Sequence, residues 1–186
     1  MTKIRFCALD VDGTLIGSDL CISPAVGAAV DRLHEAGIET AVVTGRTTRE
    51  LAVVRARFPW IRYFIVSNGA RAFDAQSGED LVANLLPLGI ARQIAREAAK
   101  DDVMTEVYAD GASYVNAAAW ANAAHYENEF LKHPSLGEAR VPVPDVLRLL
   151  DERTADIDKL YISFYRREDL TPLAAFCRDF PVDLVV

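Results

Sequence analysis

A chain of 186 residues, 51% apolar and 25% charged, is long enough for one large domain or two small ones around a real hydrophobic core. Its net charge of −7 argues against nucleic acid as a partner and requires any site for a phosphorylated ligand to be locally positive. No apolar run approaches the roughly 20 residues that cross a bilayer, and none precedes Asp10 as a signal peptide would. Three cysteines without metal-like spacing (Cys7, Cys21, Cys177) fit a reduced protein, so a cytoplasmic chain without a membrane partner is expected.

The apolar run 4–9 reads as a buried first strand, with Cys7 as a small buried apolar group. Ser23-Pro24 supplies an N-cap and a first-turn proline for a helix whose inner face is Val26, Val30 and Leu33, with Gly37 as its stop. Residues 38–43 form a second strand. Thr47 and Glu50 have capping-box spacing for a helix that buries Leu51, Val54 and Phe58. Residues 60–66 form a third strand. Three strand–loop units in some 70 residues indicate a parallel, doubly wound sheet.

Residues 71–73 and 81–85 then read as a hairpin around the polar turn 74–80, and a boundary falls near residue 85. Beyond it come a helix to about residue 100, a strand over 104–108, the turn Asp110-Gly111 and a short strand through Val115. A helix over 117–131, a loop over 133–144, a helix over 146–150, a strand over 158–165, a helix from Thr171-Pro172 and a strand over 182–186 complete the pattern. Trp120, Tyr126 and Phe130 are expected to pack within this second half. The acid pairs Asp101-Asp102 and Asp151-Glu152 read as solvated helix ends, and His34, His125 and His133 lack ligand spacing.

The chemistry gathers at strand ends. Asp10-Val11-Asp12-Gly13-Thr14 places two carboxylates one residue apart after the first strand, where open α/β sheets bind their ligands. Such a pair can hold a hard cation, attack an electrophile and exchange a proton. The alternative for Asp-Gly, Thr44-Gly45 and Asn68-Gly69 is turn chemistry alone. Arg46 either reaches a phosphate or a second substrate group, or is simply solvated.

Asp10-Val11-Asp12-Gly13-Thr14, Val42-Val43-Thr44-Gly45-Arg46 and Ser67-Asn68-Gly69-Ala70, in order at three strand ends, resemble the haloacid dehalogenase superfamily. More narrowly they resemble its Cof-type phosphatases, whose α/β cap is inserted after the third core strand. The resemblance implies an α/β fold with part of a doubly wound, Rossmann-like parallel sheet over residues 1–85 and an inserted α/β cap domain over 86–186. It implies a phosphatase acting on a small phosphorylated, sugar phosphate-like metabolite. Asp10 would attack phosphorus, and Asp12 would protonate the leaving oxygen and then activate water. Magnesium would sit at Asp10 and Asp12, taking a backbone carbonyl from Asp12. Gly13, Thr44, Gly45, Arg46 and Asn68 would bind substrate, with amides around Gly13 and the helix start after Gly45 meeting phosphate oxygens, Asn68 either touching substrate or orienting Asp12, and Ser67 a further candidate.

The superfamily also uses a lysine and a later acidic pair that completes the metal site. Lys159 opens a cap strand instead of preceding a core helix, and Asp179 and Asp183 follow no glycine turn, so neither role is assigned. The chain is therefore expected to end inside the cap, to turn over weakly or not at all, and to self-associate through an incomplete core sheet. A phosphomutase-type phosphotransferase and a non-catalytic module that binds phosphate ligands or a partner are the competing functions.

Overall fold

The computed structural model describes residues 4–19, 21–126 and 139–183, which divide into two compact units, Met1–Asn84 and Leu85–Val186. In the first, β1 (Phe6–Leu9), β2 (Glu39–Val43) and β3 (Tyr63–Val66) run parallel. The hairpin of β4 (Arg71–Asp74) and β5 (Asp80–Ala83) extends the sheet antiparallel in the order β1-β2-β3-β4-β5.

Parallel neighbours require crossovers, and the sequence supplies two helices for them. α1 (Pro24–Glu35) starts where Ser23 Oγ accepts from the Val26 amide at 3.2 Å. A 3-10 turn, Arg49–Leu51, leads into α2 (Ala52–Arg57). Ahead of it the Thr47 amide donates to Glu50 Oε2 at 2.6 Å and the Glu50 amide to Thr47 Oγ1 at 3.4 Å, the reciprocal pair that the spacing predicts.

Leu9, Val42, Phe64 and Phe73 lie opposite one another across the strands and share one core with Val26 and Val30 of α1 and Val54 of α2. Both helices therefore cover the same face. Side chains alternate along a strand, so Phe6 and Ala8 point away from that core. With only β2 beside it among the described residues, β1 is not the buried strand expected: Ile4 is 68% and Phe6 54% exposed, and Cys7 is half-buried. The third strand is shorter than 60–66, because the chain turns at Trp60 and the Ile61 amide donates to the Phe58 carbonyl.

The turn between β4 and β5 is held by Asp74, which is almost fully buried. It accepts from Arg62 Nε at 2.6 Å and from the Gln76 amide at 2.9 Å. These donors, Arg62 foremost, pull its pKa down to about 2 from an ordinary 3.8. A lowered folded-state pKa gives stability that is present above the unfolded value and lost as pH falls through the folded one. Asp74→Asn is therefore expected to flatten the fall in melting temperature between about pH 4 and pH 2 relative to the parent, read by circular dichroism.

In the second unit β6 (Val103–Ala109), β7 (Ala112–Asn116), β8 (Arg140–Val143) and β9 (Lys159–Phe164) form a sheet in the order β8-β7-β6-β9. With them are α3 (Leu88–Ala98), α4 (Ala117–Ala121), α5 (Val146–Glu152) and α6 (Leu170–Cys177). Ala91 and Ala95 of α3 meet Val107, Val146, Leu150 and Ile157 in one core, and Ile94 and Ala98 meet Leu173 and Cys177 in another.

Three expectations change here. The helix over 117–131 stops at Ala121, because Asn122 adopts φ −112°, ψ 30° and a 3-10 turn, Ala123–Tyr126, follows; residues 127–131 lie outside the described residues. The loop over 133–144 contains β8, a sheet edge whose outward side tolerates Pro142. Val182 and Asp183 pair with no strand among the described residues, and the remainder of the run 182–186 is outside them, as are Phe130 and His133. Asp102 is exposed but not merely solvated: His125 Nε2 lies 2.7 Å from it and the Tyr126 hydroxyl donates to it at 3.2 Å. Asp151 likewise accepts from Arg96 at 2.5 Å. No described helix is long and apolar enough to cross a membrane.

Candidate active site

The site residues all lie in the first unit, where β1, β2 and β3 end side by side. Val11, fully buried, anchors the loop after β1 and leaves Asp10 and Asp12 exposed on either side of it. The loop folds back on itself. Gly13, at φ 76°, donates its amide to the Ile16 carbonyl at 2.8 Å, and the Ile16 amide donates to the Val11 carbonyl at 2.8 Å. Of the amides around Gly13, its own is therefore already bonded within the loop.

At the end of β2, Thr44 is buried; its amide donates to the Ile65 carbonyl at 2.9 Å, and its Oγ1 accepts from the Arg46 amide at 3.2 Å. The Thr44 hydroxyl proton still has a direction in which to donate. Gly45 packs closely against the next loop: a Cβ there would stand 3.1 Å from Asn68 Oδ1, a tight contact that the Asn68 side chain would have to relieve by a few tenths of an ångström. At the helix start that follows, the Thr47 amide is not open to an anion. The carboxylate of Glu50, itself buried, already takes the Thr47 amide.

Arg46 is not solvated. Only 7% exposed, it spans two strand ends: Nε donates to Asp12 Oδ2 at 3.1 Å, Nη2 to Asp12 Oδ1 at 2.6 Å, and Nη1 to the Glu50 carbonyl at 3.2 Å. Nothing in the spacing of Arg46 and Asp12 along the sequence foretold this contact.

After β3, Ser67 and Asn68 both adopt left-handed backbone, at φ 53° and φ 60°. Each costs about 1 kcal/mol outside glycine. Two hydrogen bonds hold the strained turn against its neighbour: the Ser67 amide to the Arg46 carbonyl at 2.9 Å and the Asn68 amide to the Thr44 carbonyl at 3.1 Å. The structure thus brings together Asp12, Thr44, Gly45, Arg46, Ser67 and Asn68 as one hydrogen-bonded group of three loops. The Asn68 side chain lies over Gly45.

Two exposed acids against one buried arginine leave this group short of positive charge, contrary to the locally positive site expected. That shortage suits a cation. Asp10 forms no ion pair among the described residues, and hard oxygen donors of this kind suit magnesium, which keeps several waters and needs only one or two carboxylates. Asp12, by contrast, accepts from Arg46 at both carboxylate oxygens. No group of three or more His, Cys, Asp or Glu able to hold a metal occurs among the described residues, and Lys159 stands in β9 of the other unit, 4.2 Å over the Tyr108 ring.

Comparison with known proteins bears on the same loops. The family model for haloacid dehalogenase-like hydrolases matches residues 7–179. The chain is similar to an HMP-PP phosphatase of Serratia proteamaculans, 30% identical over 106 residues, which are 57% of this chain and 38% of that protein. It is also similar to an HMP-PP phosphatase of Cronobacter sakazakii, 34% identical over 90 residues, 48% of this chain and 33% of that one. The matched regions thus span only about a third of these relatives' length. In fold it is similar to a haloacid dehalogenase-like hydrolase from Bacteroides thetaiotaomicron (TM-score 0.73, 21% identity), covering 94% of this chain and 64% of that one. A haloacid dehalogenase-like hydrolase from B. subtilis gives a TM-score of 0.72 at 20% identity, covering 94% and 67%. With α/β architecture, parallel strands and acids at the end of the first of them, the chain belongs to the haloacid dehalogenase-like hydrolases.

Proposed function

We propose that the protein is a magnesium-dependent phosphatase that hydrolyses a small phosphorylated metabolite through an aspartyl-phosphate intermediate. One observation carries the reading: Asp10 stands exposed at the end of β1, without an ion-pair partner among the described residues, beside an Asp12 pinned by the neighbouring strand end. Residues 1–84 act as the part of the catalytic core that holds these acids, and residues 85–186 as the cap that selects the substrate. The HMP-PP phosphatase names of the two relatives support a phosphorylated small molecule as the substrate class.

The chain's own residues divide the work. The Asp10 carboxylate attacks phosphorus as the bond to the leaving oxygen breaks, and Asp12 gives that oxygen a proton. Water then attacks the phosphorus of the phosphorylated Asp10, Asp12 takes the water's proton, and phosphate departs with Asp10 restored. The Thr44 hydroxyl donates to a phosphate oxygen, while Gly45 lets the loops approach closely enough for Asn68 to face the substrate. Bound magnesium would supply positive charge against which the phosphate oxygens and Asp10 can meet.

The test is phosphate release from p-nitrophenyl phosphate and small sugar phosphates with and without magnesium. Magnesium-dependent release supports the reading. Transfer of the phosphoryl group to a second sugar, or binding of phosphate with no release from any substrate, would replace it with one of the competing functions.

A further inference from the structure

We infer that Arg46 is a positioning residue for Asp12 and not a ligand of the phosphate. The inference deepens the phosphatase reading and rests on it for the chemical meaning of Asp12.

The geometry is that of a fork closed on a carboxylate. Nε and Nη2 of Arg46 each meet a different oxygen of Asp12, at 3.1 and 2.6 Å, so the pair fixes the plane of the carboxylate as well as its position. The third direction of the guanidinium is occupied by the Glu50 carbonyl at 3.2 Å. Arg46 is tied at its backbone on both sides, its amide to Thr44 Oγ1 and its carbonyl to the Ser67 amide. The turn that presents the Glu50 carbonyl is locked by the reciprocal Thr47–Glu50 bonds. The fork is thus anchored before any ligand arrives.

Asp12 is different. Its side chain is 43% exposed, on a loop flanked by exposed Gly13 and Thr14. An exposed Asp side chain samples several staggered rotamers, and the fork selects one of them. Lysine, a point charge on a flexible stem, would keep the attraction but not the plane. An arginine whose two-pronged face is filled by an acid, and whose remaining nitrogen is held by a carbonyl, is poorly placed to bind phosphate as well.

Two measurements on the full chain test this. The first needs no turnover: the Arg46 Nε–H signal in a proton–nitrogen spectrum, assigned by its loss in Arg46→Lys, is expected to move in Asp12→Asn and stay in Asp10→Asn. An unmoved signal in Asp12→Asn overturns the inference. The second is kinetic. Arg46→Gln and Arg46→Lys are both expected to lower kcat for an alkyl phosphate about 100-fold with KM within about threefold, the size of a lost proton-transfer contribution. For p-nitrophenyl phosphate, whose leaving group needs no proton, the first-turnover burst of p-nitrophenol is expected to slow by less than about tenfold, while the following loss of phosphate from Asp10, which needs Asp12 as base, slows as it does for the alkyl phosphate. A KM raised about tenfold or more for both substrates with kcat retained marks a phosphate ligand and overturns the inference. If no substrate is hydrolysed, the phosphatase reading fails, while the nitrogen signal still decides whether Arg46 holds Asp12.

Discussion

Asp10→Asn is expected to lower magnesium-supported phosphate release by at least about 10³-fold, a loss of roughly 4 kcal/mol of transition-state stabilisation. The substitution keeps the size of the side chain and removes the nucleophilic oxygen, so the covalent route closes while the loop retains its shape. That shape does not depend on the Asp10 carboxylate. Val11 is buried in the core, and the Gly13–Ile16 and Ile16–Val11 bonds fold the loop without it. Stability should therefore change by no more than about 0.5 kcal/mol, as for other exposed substitutions. The check is single-turnover release with labelled substrate and acid-quench trapping of phosphorylated protein, run beside thermal melts. Label retained at parental levels on the Asp10→Asn variant would move the nucleophile elsewhere. Asp12→Asn gives the contrast: label trapped on Asp10 with p-nitrophenyl phosphate but slow loss of that label, because the incoming water has no base.

Much of the fold was legible because its local signals agree with one another. Ser23-Pro24 starts α1, the Thr47–Glu50 pair opens the turn into α2, and apolar runs end at Asp10, Thr44 and Ser67, so the strand ends and their loops follow from residue type and spacing. What escaped depends on contacts between distant residues. Arg46 sits 34 positions from Asp12, and nothing in local sequence says that its fork closes on that acid instead of opening to solvent. The exposure of Phe6 is also non-local: it follows from α1 and α2 covering the same face and from β1 having only β2 beside it among the described residues. β8 was hidden by Pro142 and Pro144, residues that argue for a loop unless the strand lies at an edge, which is a property of the whole sheet.

β8 also carries the substitution with the largest expected effect on stability. Glu106, in the middle of β6, is fully buried, and Arg140 at the start of β8 is nearly so. Arg140 Nε donates to Glu106 Oε2 at 2.7 Å and Nη2 to Oε1 at 3.3 Å, while the Ser113 hydroxyl of β7 donates to Oε2 at 2.7 Å. The Arg140 guanidinium lies 5.2 Å from the Trp120 ring centre. The pair links two strands that are not neighbours, since β7 stands between β6 and β8. Two charges taken out of water nearly cancel their mutual attraction with their desolvation, so the intact pair adds little net stability. Removing one partner is another matter. Arg140→Met leaves a buried carboxylate with Ser113 as its side-chain partner among the described residues, and Glu106→Leu takes from the buried Arg140 guanidinium the carboxylate that it grips; each is expected to cost about 3–5 kcal/mol. The double variant Glu106→Leu/Arg140→Met removes both charges and should recover most of that loss. Urea unfolding of the four proteins, with an unchanged denaturant slope, measures the coupling between the two sites directly. Additive losses in the double variant would mean that the two side chains stabilise the sheet independently, by packing alone, and not as a charge pair.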